Sequence, residues 1–287
     1  MHIPFPALRA FAAVARLGSF TAAAQALHLT QPAISKSVRE LETLLETPLL
    51  ERLPRQLRLT DAGNALYEHA RAIFALEQAA LDDLQARRGL QKGRLAVGAS
   101  TTIAAFWLPP YLARFAERHP GIELSLFSGN TAAIAQAVQD GQVDVGLVEG
   151  PVSEAPLECT PWRNELLTLV GPPGTPLELA NLNTLPWIVR EQGSGTAQVV
   201  DEFLQRTGLS PTRRITVGSN TAIVQMVLSD AGVALVPRIM VEALLESGEL
   251  QEIPVPGGTV IRPLNRLTLR DRPASAAREA FEALLKR

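Results

Sequence analysis

A single cysteine, Cys159, and four widely spaced histidines, His2, His28, His69 and His119, are all that 287 residues offer a disulfide or a zinc ion. One thiol cannot form an internal bridge, so the chain is expected to fold in a reducing compartment, without a structural metal or cofactor. The lone cysteine reads as a small packed hydrophobe rather than a redox sensor. No window approaches about 18 uninterrupted apolar residues. The N-terminus, MHIPFPALRAFAAVARLGSF, lacks a charged region followed by a long apolar run, so neither a membrane span nor a secretory leader is expected and the location reads as cytoplasmic. That argues against a secreted solute-binding protein. Walker and G-x-G-x-x-G motifs are missing too. Gln192-Gly193-Ser194-Gly195 is not a G-x-S-x-G elbow and no histidine stands in a triad context, which argues against a hydrolase or any other enzyme.

What is present begins with an uneven charge. The net charge is -2, yet Met1 to Ala62 carry seven Arg/Lys against five Asp/Glu, a local +2, leaving -4 for the remainder. A basic N-terminal module fits a polyanion partner, and the length suggests about two domains. Leu8, Phe11, Ala12 and Ala15 recur at helical spacing before a stop at Gly18. Ser19 or Thr21 can cap a short alanine-rich helix, His28-Leu29 makes a turn, and Thr30 can cap a third helix that tolerates Pro32 in its first turn. Ile34, Val38, Leu41 and Leu45 predict its buried stripe. Gln31, Ser35, Lys36 and Arg39 are left on or beside the outward face. This is a helix-turn-helix pattern whose third helix carries side chains able to read base edges in a major groove. The stretch Glu51 to Arg58, with Arg52, Arg55 and Arg58, reads as a hairpin wing against the sugar-phosphate backbone.

Thr60 can cap a helix free of proline and glycine from Asn64 to about Arg88, about 37 Å long. Leu66, Ala70, Ile73, Ala80 and Leu84, interrupted by Glu77, predict a coiled-coil-like seam that pairs two copies of the chain. GLQKG, residues 89–93, reads as a hinge.

Beyond it, short β-rich runs alternate with helical ones, predicting βαβ units and a mostly parallel sheet. The candidate strands are Leu95–Gly98, Ile122–Phe127, Val143–Val148, Leu166–Val170, Trp187–Arg190, Ile215–Val217, Val233–Val236 and Leu267–Leu269. Gly129-Asn130-Thr131-Ala132 and its following helix are echoed by Ser219-Asn220-Thr221-Ala222 and the helix after it. Two similar subdomains with a ligand cleft between them follow. Ser100-Thr101-Thr102, Gly129-Asn130-Thr131, Gly193-Ser194-Gly195-Thr196 and Ser219-Asn220-Thr221 each stand where a strand hands over to a helix. Each could simply be an N-cap. Four converging helix N-termini, however, would favour a small anion.

The run from Leu8 to Gly63, ending in Leu59-Thr60-x-x-Gly63, resembles the LysR-type DNA-binding domain, with Leu50 where that family usually has phenylalanine. The resemblance extends over the whole chain. It implies an α/β protein with an N-terminal winged helix-turn-helix (residues 1–62), a dimerising linker helix and hinge (63–92) and a periplasmic-binding-protein-like effector module (93–287). The module's subdomains would comprise about 93–160 with 266–287, and about 161–265. By the resemblance Gln31, Pro32, Ser35 and Lys36 enter the major groove of a pseudo-palindromic operator, and Arg52 and Arg55 hold phosphates. The assembly would be a homodimer that pairs into a tetramer. ASTT, SGNT, EGP and REQGSGT are most similar to a subgroup answering to sulfite or sulfate, which implies a pocket of Ser100, Thr102, Asn130, Thr131, Glu149, Ser194 and Thr196. The alternative is a small organic carboxylate or phosphorylated metabolite as effector.

Overall fold

The computed structural model describes residues 2–53, 56–86, 93–150, 152, 156–176, 178–255, 259–270 and 272–286. The chain divides into two compact units, chiefly Met1–Leu81 and Asp82–Arg270 with Ala274–Arg287.

In the first unit, α1 (Phe5–Leu17), α2 (Phe20–Ala26) and α3 (Gln31–Leu44) precede a hairpin of β1 (Leu50–Leu53) and β2 (Gln56–Leu59), and a long α4 (Asp61–Ala86) follows. Small polar side chains set the helix starts. Ser19 Oγ accepts from Ala22 N, Thr30 Oγ1 from Ala33 N and Thr60 Oγ1 from Gly63 N. His28, at φ 54°, makes the left-handed turn between α2 and α3. Gly63 is a steric requirement: a Cβ there would lie 2.0 Å from the carbonyl oxygen of Leu49, so α4 can approach the wing strand only at this residue. Leu8, Phe11, Val14, Ile34, Val38, Leu41, Leu49 and Ala70 form the buried core.

The seam expected along α4 divides in two. Leu66, Ala70 and Ile73 pack into the core of their own unit, so the first half of the stripe is not free for a second copy. Ala80 and Leu84 are exposed, as are Leu76 and Leu81. Glu77, the polar break in the seam, pairs with Arg9 at 2.5 Å, while the Arg9 guanidinium lies 4.7 Å from the centre of the Phe74 ring. The interruption thus clamps α1 to α4. Residues 89–92 of the expected hinge lie outside the described residues.

The second unit opens with β3 (Gly93–Ser100), a π turn at Ile103–Trp107, α5 (Pro109–Arg118), β4 (Ile122–Gly129), α6 (Thr131–Gln139) and β5 (Val145–Glu149). A long β6 (Leu157–Gly171) leads to β7 (Trp187–Arg190), α7 (Gly195–Thr207), β8 (Arg214–Val217), α8 (Asn220–Leu228) and β9 (Ala234–Pro237). The chain then passes through α9 (Glu242–Glu246) and β10 (Gln251–Ile253), returns along β11 (Val260–Leu269) and closes with α10 (Ala276–Leu285). Among the described residues a seven-stranded sheet runs β10-β6-β11-β5-β3-β4, with β9 also on β6, and β7 and β8 form a separate parallel pair.

The sheet is mixed rather than mostly parallel. β3 is parallel to β4 and β5, whereas β11 is antiparallel to both β5 and β6. The parallel expectation fails because β6 and β11 are far longer than their apolar runs: they cross together from one lobe to the other and carry Pro161 and Pro263, residues that argue against an interior strand. A register shift at Leu264/Asn265, where Asn265 faces Pro161, absorbs the irregularity. The subdomain boundaries expected after residues 160 and 265 fall inside these two strands. Leu95, Val97, Phe115, Val145 and Phe281 fill one lobe, and Leu169, Trp187, Phe203 and Leu235 the other. Among the described residues no helix is long and apolar enough to cross a membrane.

Candidate functional site

Two surfaces collect the residues singled out from the sequence. On α3, Gln31, Pro32, Lys36 and Arg39 are exposed, and Pro32, Lys36 and Arg39 border a groove of about 680 Å³ with Glu40, Thr43 and Leu44. Lys36 Nζ stands 3.7 Å from Glu40 Oε1 with both side chains in solvent, a pair weak enough to be exchanged for a phosphate or base. Thr30 is occupied with capping.

Ser35 departs from the expectation. It is buried, and its Oγ accepts from Arg39 Nη2 at 2.9 Å, so it supports a neighbouring cation instead of facing outward. Ser35 lies at the edge of the Ile34–Val38–Leu41 stripe, and its small side chain leaves room for the arginine one turn on to fold across it. In the wing, Arg52 sits on β1 opposite Leu57, and Arg58 on β2 is exposed opposite Glu51. Arg55 lies outside the described residues.

The second surface lies between the lobes of the second unit. Three of the four strand-to-helix junctions are capped by a residue singled out from the sequence: Ser100 Oγ accepts from Ile103 N, Asn130 Oδ1 from Ala133 N and Ser194 Oγ from Thr196 N. In the fourth, Ser219 caps α8 by accepting from Ala222 N. The two echoing helices are therefore one residue out of step. Asn130 spends its carbonyl on capping, whereas Asn220 stands inside its helix and turns its amide outward, donating to Thr102 Oγ1 at 2.7 Å and Thr196 Oγ1 at 3.3 Å.

The lobes are joined directly through these junctions. Besides Asn220 with Thr102, Asn130 Nδ2 donates to Glu191 Oε1 (3.2 Å), Gly195 N to Thr131 Oγ1 (3.2 Å), Ala132 N to Gly193 O (3.1 Å) and Arg190 Nη1 to Thr101 Oγ1 (3.4 Å). Close approach is enforced at Gly195, where a Cβ would lie 2.4 Å from Glu149 O. Hydrogen bonds from the Arg190 guanidinium, the largest influence, hold the Glu191 carboxyl below the usual carboxylate range against the opposing effect of burial.

Glu149 does not face an open pocket. Buried, it meets Arg262 Nη2 at 3.3 Å, and Arg262, wholly buried, also donates through Nε to Glu165 Oε2 (2.7 Å) and through Nη1 to Thr196 Oγ1 (2.8 Å). Trp107 Nε1 completes the cluster on Glu165 Oε1 at 2.7 Å. Arg262, Glu165, Trp107, Arg190 and Glu191 were not among the residues drawn from the sequence. Arg262 and Glu165 are register partners, a signal readable only once β6 and β11 are paired. Arg190-Glu191, immediately before the Gly-Ser-Gly turn, was open to view.

A cavity of about 890 Å³ lies against this junction, lined by Thr131, Arg190, the Gln192–Gly195 turn, Arg214 and Thr216 among others. Thr131 and Ser194 reach it. Ser100, Thr102, Glu149, Thr196 and Asn220 are buried behind it and are absent from its lining.

Residues 5–64 match the family described as bacterial regulatory helix-turn-helix protein, lysR family, and residues 88–287 match the LysR substrate binding domain. The HTH-type transcriptional regulator CysL of Bacillus subtilis (strain 168) is 30% identical over 98% of this chain and 96% of its own length. A RuBisCO operon transcriptional regulator of Allochromatium vinosum is 34% identical over 90% of this chain and 87% of its own. The regulatory domain of CcmR from Synechocystis PCC6803, solved in complex with 2-PG, superposes with a TM-score of 0.62 at 26% identity, covering 68% of this chain and 96% of that one. Relatives of comparable identity thus carry different regulatory titles, and no one subgroup stands out.

Proposed function

We propose, on the premise that this chain belongs to the LysR family of helix-turn-helix transcriptional regulators, that its effector is a small organic anion, a carboxylate or phosphorylated metabolite, bound where the two lobes meet. The chain is a DNA-binding regulator with an effector-binding C-terminal domain, not an enzyme, and oligomerisation goes with the family. On DNA, Gln31, Pro32, Lys36 and Arg39 are assigned to the major groove and Arg52 and Arg55 to phosphates. The exposed apolar half of α4 is assigned to the dimer.

The observation that carries the effector reading is the cavity: about 890 Å³ beside Arg190, Arg214 and the turn that opens α7. A volume in the range of roughly 300–1,000 Å³ suits a metabolite and far exceeds one tetrahedral ion. The complex of CcmR with 2-PG supports an organic effector at this level of similarity. Inorganic sulfur anions are the second reading, favoured by the ASTT, SGNT and REQGSGT segments.

A thermal-shift panel on the full chain separates them. At a ligand concentration of 100 Kd, stabilisation is about 2.7 kcal/mol, or roughly 5–10 °C for a protein of this size. Organic acids or phosphorylated acids are expected to produce it. Stabilisation by sulfite or sulfate alone overturns the organic reading.

A further inference from the structure

One buried group at the junction has no answer within the protein. Asn220 is 2% exposed, and while its Nδ2 serves Thr102 and Thr196, its Oδ1 has no hydrogen-bond partner. Both threonines are as deeply buried. The one-residue slip between the echoing helices is the reason: Ser219 has taken the capping role, and the carboxamide of Asn220 is released into the space between the lobes. Buried carbonyl oxygens are rarely left without a donor.

The charge beyond Thr196 is equally lopsided. Glu149 and Glu165 share the single guanidinium of Arg262, so the cluster behind Asn220 has two carboxylates for one cation. A bare anionic oxygen placed against Asn220 Oδ1 would meet an acceptor backed by surplus negative charge. A hydroxyl there would instead supply the missing hydrogen. The two observations are independent, one a matter of hydrogen-bond valence and the other of charge, and they agree on what must face this wall of the site.

We propose that the effector carries a hydroxyl beside its acidic group, and that Asn220 Oδ1 accepts the hydrogen of that hydroxyl. The ligand class is a hydroxy acid, distinguished from a deoxy acid and from a simple oxyanion. This rests on the effector reading above. The acidic end is left to the opposite side, where Arg190, paired with Glu191, reaches Thr101 next to Thr102. Because Thr102, Thr196 and Asn220 are all buried, the ligand gains access as the Asn220 to Thr102 bond between the lobes opens, and it replaces that bond with its own.

The test is calorimetric titration of the full chain with matched pairs: glycolate against acetate, lactate against propionate, and malate against succinate, with sulfite, sulfate and phosphate alongside. In at least one pair the hydroxylated acid is expected to bind about tenfold tighter or more, because a site built around a ligand hydroxyl rejects the analogue that lacks it. In Asn220→Leu that ratio falls towards one. Should this variant fail to fold, the wild-type ratio decides alone. Equal affinities within every pair, or tighter binding of the deoxy acids, overturn the hydroxyl while leaving an organic anion as effector. Binding of the inorganic oxyanions without any of the six acids overturns the hydroxyl and the organic reading together. Failure of every compound to bind removes the small-anion site itself.

Discussion

Arg262 is wholly buried between two carboxylates and a threonine hydroxyl, and a guanidinium removed from water persists only when its partners replace that water. Removing it strands Glu149 and Glu165, and loss of one member of a buried ion cluster costs about 3–5 kcal/mol. Arg262→Met is therefore expected to lower unfolding stability by that amount in chemical denaturation, and a triple replacement of Arg262, Glu149 and Glu165 by apolar residues to recover much of it. A triple variant no more stable than the single one would contradict the electrostatic account. Glu191 works at a half-exposed site and through pH. Its folded-state pKa is depressed, chiefly by hydrogen bonds from Arg190. Its contribution is therefore present above the unfolded carboxylate pKa and lost as pH falls through the lower folded value. The stability difference between wild type and Glu191→Gln should be largest near neutrality and shrink in acid. A difference that is flat with pH would refute the assignment.

At the level of elements, the third helix and the wing have separable duties. Lys36→Ala is expected to reduce preference for the operator over unrelated DNA by roughly 1–3 kcal/mol. Arg52→Ala should weaken all sequences alike and make the salt slope shallower by about 0.9. Competition binding at several salt concentrations checks both, and a loss from Lys36→Ala that is equal on all DNA would remove base reading from α3. Much of this was legible in the sequence because it is local: Ser19, Thr30 and Thr60 announce their helices by residue type, and the elements they open stand where expected. What was hidden depends on neighbours distant in the chain. Pro161 and Pro263 disguised two long strands, and without their pairing Arg262 could not be matched to Glu165. The burial of Ser35 under Arg39 turns on side-chain size rather than on helical period. The four polar junctions were visible, but their capping duties and the slip that frees Asn220 were not, since both depend on which residue begins each helix.

Over the whole molecule, the exposed Leu76, Leu81 and Leu84 of α4 are an apolar strip with no cover in the single chain. Leu81→Glu with Leu84→Glu is expected to shift sedimentation from dimer to monomer at micromolar concentration while leaving the effector-induced thermal shift in place. An unchanged sedimentation profile would move the dimer contact off this helix. The strands β6 and β11 set a mechanical condition on everything the effector does. Their ladder runs from the pair Val260 with Leu167 to the pair Leu269 with Leu157, through both lobes, irregular only at Leu264/Asn265. A ribbon bonded along its length yields easily in torsion and resists sliding, so the lobes move as two paddles on one twisted strap. A ligand gripping both paddles then has a single degree of freedom to work on, and the amides flanking the irregular step should exchange hydrogen fastest of any in the strap.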